Sequence, residues 1–227
     1  MNGTRKEGDA RDAAGARYSK FDLFFYDLWV LCRNNRFFWR CPTACLLEFY
    51  NQNVAGNHLD VGVGTGYFLH HCRFPGKSPR VALMDSNPGC LAKAARRIAR
   101  YRPERYQCNV LDEDDVRETT AGIERFDSIG MNYLLHCLRG TIATKAAVFD
   151  HLRPLLKPGG VLFGSTLLAI GVQRTPAAER LMSKYQQEQR FHNAQDSMEE
   201  LRKELKKRFA TADVLAIGCA ALFRAQS

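Results

Sequence analysis

Asp60-Val61-Gly62-Val63-Gly64-Thr65-Gly66 places a carboxylate directly before three glycines at alternate positions. Glycines let a backbone approach a ligand closely, and a helix starting just beyond offers free N–H groups and its positive dipole end. A phosphate or a carboxylate suits such a loop, and the spacing separates the candidates. A dinucleotide fingerprint needs a third glycine where Tyr67 stands, and no GxxxxGK[ST] phosphate loop occurs. Asp60 would repel a diphosphate and attract an ammonium group. A second carboxylate, Asp85, ends the run VALMDSN with Ser86 behind it, where an acid can accept both hydrogen bonds of a ribose diol. Asn109 and the main chain of Val110, in CNVLDE, could meet an adenine edge. A ligand with an ammonium group, a carboxylate, a ribose and an adenine is S-adenosyl-L-methionine.

The elements that must hold these residues follow from hydropathy texture. From residue 57 onward, apolar runs at 58–61, 81–85, 105–110, 126–131 and 160–167 alternate with helical stretches such as 91–101 and 143–156. That rhythm builds a parallel sheet with helices on both faces. The turn Pro158-Gly159-Gly160 closes a helix and launches the fifth strand, and DVLAIG and AALFRA read as a terminal antiparallel pair. Ahead of the sheet, aromatic and apolar residues recur at helical spacing over 18–50, with Pro42 near one helix start.

The motifs LDVGVGTGYF, VALMDSN, FDSIGMNYLLHCL and LRPLLKPGGVLFGS, in that order and spacing, resemble those of the class I S-adenosylmethionine-dependent methyltransferases. The resemblance implies an α/β, Rossmann-like fold: a seven-stranded, mostly parallel sheet with an antiparallel last strand. It also implies one domain, divided into a flexible tail (1–17), a helical N-terminal cap (18–55), a cofactor-binding core (56–170), lid helices inserted after the fifth strand (171–209) and the last strand pair (210–227). Asp60, Gly62, Gly64 and Gly66 match the motif for the methionine part, and Asp85 matches the ribose acid. Asn109 falls where many members carry Asp, which leaves Leu111 and Asp112 as alternatives for the adenine. Asn132 matches a position facing both cofactor and acceptor.

Methyl transfer is an in-line displacement, for which alignment and exclusion of water can supply much of the rate. A base is needed only where the acceptor must lose a proton. His136, four residues beyond Asn132, is the candidate base, weighed equally against a hydrogen-bonded structural histidine. No (D/N)PPY motif follows the fourth strand and no Pro-Cys pair lies where a cytosine C5 enzyme would need one, so nucleic acid finds no supporting motif. Aromatic and soft side chains remain: Tyr26, Tyr133, Met182, Tyr185 and Phe191 are expected to enclose an apolar, aromatic or heterocyclic acceptor of specialised metabolism. Tyr18 and Trp39 are expected at the cofactor, the first through its phenol and the second, with Arg40, at the entrance.

The bulk composition agrees with a globular enzyme. The 227 residues are 45% hydrophobic and 25% charged. Lys and Arg exceed Asp and Glu by 33 to 24, a net charge of +9, but acids interleave the densest basic stretch, as on a solvated helix face. Eight cysteines without a CxxC pair point to free thiols in a reducing cytoplasm and to no metal site. No apolar run approaches the ~20 residues of a membrane span. A monomer or homodimer is expected. The competing readings are an RNA- or protein-directed methyltransferase, a non-catalytic S-adenosylmethionine-binding partner subunit and an NAD(P)-dependent oxidoreductase.

Overall fold

The structure is a computed structural model and describes residues 34–226. Seven strands form one sheet: β1 (Asn57–Val61), β2 (Arg80–Asp85), β3 (Glu104–Gln107), β4 (Phe126–Asn132), β5 (Leu156–Leu167), β6 (Thr211–Ile217) and β7 (Ala220–Gln226). Their order is β3-β2-β1-β4-β5-β7-β6, and β7 alone runs antiparallel to its neighbours. The order reverses between β1 and β4, so the loops leaving their carboxyl ends diverge and open a crevice, the usual ligand address in such sheets.

The central strands are buried on both faces, and each face has its own apolar core. Leu59, Val61, Ile129, Met131 and Phe149 lie in one; Tyr50, Val81, Leu83, Leu91 and Phe163 lie in the other. A third cluster at the carboxyl ends joins Trp39, Leu46, Tyr133, Leu167, Met182 and Leu222, and so ties the start of the described chain to the segment after β5. Helix α1 (Thr43–Asn53) follows Pro42, which locks the entry conformation. Helix α2 (Tyr67–His71) leaves the glycine loop, and α3 (Pro88–Arg97) starts with proline while Asn87 Oδ1 accepts from Gly89 N at 2.8 Å.

Local chemistry moved several expected boundaries. The third strand stops at Gln107 rather than 110 because Asn109 turns the chain: its Oδ1 accepts from Leu111 N at 3.1 Å and its carbonyl from Asp112 N at 2.9 Å. The helix expected over 143–156 is three pieces, Ile142–Lys145, Ala147–Leu152 and a 3-10 turn, Arg153–Leu155, that contains Pro154. The fifth strand already begins at Leu156 and carries the Pro-Gly-Gly segment as an irregularity, with Gly159 at φ +75° and a register shift against β4.

After β5 the chain forms α4 (Pro176–Gln187), a loop and α5 (Met198–Lys206). The loop is clasped to the core by Lys145, whose Nζ bonds Asp196 Oδ2 at 2.7 Å and His192 O at 2.9 Å with both charged side chains fully buried. Asn193, also buried, donates to Leu167 O at 2.9 Å. Among the described residues, no helix is long and apolar enough to cross a membrane.

Candidate active site

The three loop glycines all hold positive φ, of +69°, +52° and +70°, which L side chains rarely adopt. Their surroundings differ. A Cβ on Gly62 would lie 2.8 Å from the Leu134 side chain, and one on Gly66 would lie 3.0 Å from the Ala94 backbone, so these two permit close packing of loop on loop and helix on helix. A Cβ on Gly64 meets nothing within 4 Å among the described residues. Its open side is the cradle in which a ligand can lie against bare backbone.

Two carboxylates frame that cradle. Asp85 Oδ1 accepts from Asn87 N at 2.9 Å and Oδ2 faces Gly64 N at 3.4 Å, so Asp85 and the glycine loop are tied together. Burial, with a smaller contribution from Asp60, pushes the Asp85 carboxyl up to about 6. Asp60 is buried at the end of β1, with Tyr50 donating to its Oδ2 at 2.6 Å. Ser86 lies exposed just past β2. Val110 is buried, and its carbonyl is taken by His151 Nδ1 at 2.8 Å; the exposed Asn109 uses its side-chain oxygen within its own turn.

Across the crevice, Asn132 ends β4 in register with Ser165 of β5. Ser165 Oγ donates to Asn132 Oδ1 at 2.9 Å, which sets the amide so that Nδ2 is the free end. That Nδ2 is buried and has no partner among the described residues. A buried donor left unmade is costly, so the group is poised for a ligand oxygen. Tyr133 follows with φ +56°, its N–H on Ser165 O at 2.7 Å and its hydroxyl on Asn35 Oδ1 at 3.0 Å.

The aromatic set does come together, with Phe191 at its centre. Its ring centroid lies 4.6 Å from His136, 4.9 Å from Tyr185 and 6.2 Å from Trp39. Phe191 and Tyr185 are half-buried, and Tyr185 OH accepts from Asn34 Nδ2 at 3.3 Å. Three of the residues expected at the site are buried. Trp39, 1% exposed, packs between the N-terminal segment and the segment after β5. Met182 is fully buried with its Sδ on Asn193 Nδ2 at 3.8 Å, so it supports the lid from inside. His136 is buried, its Nδ1 accepts from Leu167 N at 3.3 Å, and burial pushes its pKa down to about 3. A ring so placed is neutral with its proton on Nε2, the arrangement of a hydrogen-bonded structural histidine. Tyr18 and Tyr26 lie outside the described residues.

Residues 59–162 match the family model of a methyltransferase domain. Demethylluteothin O-methyltransferase of Streptomyces thioluteus is 35% identical over 210 residues, which cover 92% of this chain and 89% of that protein. The physcion biosynthesis cluster O-methyltransferase of Aspergillus chevalieri is 38% identical over 211 residues, 92% and 93% of the two chains. The solved complex of DhpI with S-adenosylhomocysteine shares the fold, with a TM-score of 0.62 over 90% of each chain at 19% identity. The chain belongs to the class I S-adenosylmethionine-dependent methyltransferases. It is an enzyme that transfers the methyl group of S-adenosyl-L-methionine to small molecules.

Proposed function

We propose that the acceptor is a hydroxyl oxygen on a small, largely apolar aromatic or heterocyclic molecule of secondary metabolism. The observation that carries this reading is the buried Nδ2 of Asn132, unpartnered among the described residues, at the carboxyl end of β4; the next residue, Tyr133, has its ring 5.4 Å from His136, which packs on Phe191. A neutral amide donor matches an oxygen, above all one that arrives as its anion. An acidic phenol or enol therefore fits, and it needs no base from His136. The O-methyltransferase names of the relatives point the same way.

The cofactor supplies an electrophilic methyl on a sulfonium, and the residues of this chain bind and align. In this reading Asp60 takes the ammonium group, the glycine loop lies along the methionine part, and Asp85 with Ser86 takes the ribose. Asn109 and the main chain at Val110 border the adenine. Asn132 orients the acceptor oxygen, while Tyr133, Tyr185 and Phe191 flank its ring and exclude water. The free cysteines among the described residues suit a reducing cytoplasm, and the chain is read as a monomer or homodimer.

Labelled S-adenosyl-L-methionine incubated with a panel of hydroxy-aromatics, aromatic amines and thiols tests the reading. Label on oxygen, with Asn132→Ala lowering kcat/KM at least ~10-fold and leaving cofactor affinity unchanged, is expected. Label on nitrogen or carbon, or an Asn132→Ala variant of full activity, overturns it.

A further inference from the structure

Asp60 does not end its contacts at Tyr50. Tyr50 Oη also lies 2.8 Å from His58 Nε2, His58 Nδ1 lies 2.8 Å from Ser128 Oγ, and Ala55 N donates to Ser128 Oγ at 2.9 Å. Tyr50, His58 and Ser128 are all wholly buried, and a Cβ on Gly130 would sit 3.1 Å from the His58 ring, so β4 makes room for it with a glycine.

Only one assignment of protons gives each member a donor and an acceptor with the imidazole neutral. A carboxylate only accepts, so the phenol proton points at Asp60. Tyr50 Oη then has lone pairs alone for His58, so Nε2 carries the ring proton. Nδ1 accepts the hydroxyl proton of Ser128, whose oxygen takes the Ala55 N–H. Burial and the neighbouring Asp60 hold the Tyr50 phenol well above its usual range, which keeps it a donor. The chain ends on Asp60 Oδ2, and no described residue donates to Oδ1.

We infer that Tyr50, His58 and Ser128 form a one-way hydrogen-bond relay that positions the Asp60 carboxylate, fixing Oδ2 inside the core and turning Oδ1 to the cofactor's ammonium group. This rests on the proposed role of Asp60. The residues are positioning residues: none of them needs to touch the cofactor. Behind a rigid acid, the cofactor's amino-acid end meets an oxygen already aimed, so little ordering cost remains on binding.

Calorimetric titration with S-adenosylhomocysteine and with 5′-methylthioadenosine, which lacks the amino-acid end, separates the possibilities. Tyr50→Phe is expected to weaken S-adenosylhomocysteine about tenfold and leave methylthioadenosine unchanged. Asp60→Asn is expected to lose at least as much. Asp60→Asn with full affinity removes the role of Asp60; loss in Asp60→Asn but not in Tyr50→Phe leaves that role standing and removes the relay. Equal loss of both ligands in Tyr50→Phe means packing alone and also overturns it. A second measurement needs no variant: nitrogen-15 spectra of histidine-labelled protein are expected to show His58 neutral with its proton on Nε2, and an imidazolium or an Nδ1–H form overturns the relay.

Discussion

The two sides of the crevice are assembled over very different stretches of chain. On the proposed cofactor side, Gly64 reaches Asp85 across 21 residues and Tyr50 reaches Asp60 across 10. On the proposed acceptor side, Asn34 reaches Tyr185 across 151, Tyr133 reaches Asn35 across 98, and Lys145 reaches Asp196 across 51. The first side is a strand, a turn and a helix whose backbone leaves few alternatives. The second exists only once the segment after β5 has folded back over β4, and one buried ion pair secures that return. Cofactor binding should therefore survive changes that ruin acceptor binding, and the reverse should be hard to achieve.

Breaking the clasp gives the largest expected effect. Lys145→Met strands the buried Asp196 carboxylate and should cost about 3–5 kcal/mol in urea unfolding, while Lys145→Met with Asp196→Leu should recover most of it. If the single variant unfolds at the wild-type midpoint, the lid does not depend on this pair.

Gly64→Ala acts on the other side. The positive φ should cost about 1–2 kcal/mol of stability, but the new Cβ enters the open cradle, so affinity for S-adenosylhomocysteine should fall at least ~10-fold in protein that remains folded. An affinity unchanged in folded Gly64→Ala would place the ligand elsewhere.

A pH titration sharpens the same side. In the proposed site the Asp85 carboxyl, raised by burial to about 6, would take the ribose diol best when ionised. Affinity should be full above that value and fall as pH drops through it, by close to tenfold for each pH unit below; Asp85→Asn should erase the step. A flat wild-type profile between pH ~8 and ~5 would separate Asp85 from the ribose.

The smallest effect belongs to the rim of the acceptor side. Tyr185→Phe removes the hydroxyl that Asn34 meets at 3.3 Å and should change stability by under ~1 kcal/mol. It should raise the acceptor KM by no more than ~3-fold, with cofactor affinity constant. A cofactor effect as large as that of Gly64→Ala would collapse the distinction between the two sides.

Legibility in the sequence follows the same division. Asp60, the glycines and Asp85 could be read directly because strand–turn–helix geometry forces particular residue types at particular spacings. The turn at Asn109 was not legible, since a strand end and an Asx-turn share the same residues. The sequence reads Tyr50 as part of a helical aromatic pattern and His58 as a structural residue opening a central strand; that His58 and Asp60, two apart on one strand and on one face of the sheet, meet the same phenol is a tertiary outcome. Ser165 carried no signal, because its register against Asn132 is set by pairing between β4 and β5.

The amino-acid sequence by itself determined the sheet, the glycine cradle and its carboxylates, because hydrophobic periodicity and backbone freedom act over a few residues. Tertiary structure alone decided which aromatics stay partly exposed and which are buried by packing. It took Trp39 and Met182 into the core, neutralised His136 by burial, and left Asn132 Nδ2 as the free donor. Those outcomes depend on desolvation and on partners brought together from distant segments, and neither is written in local spacing.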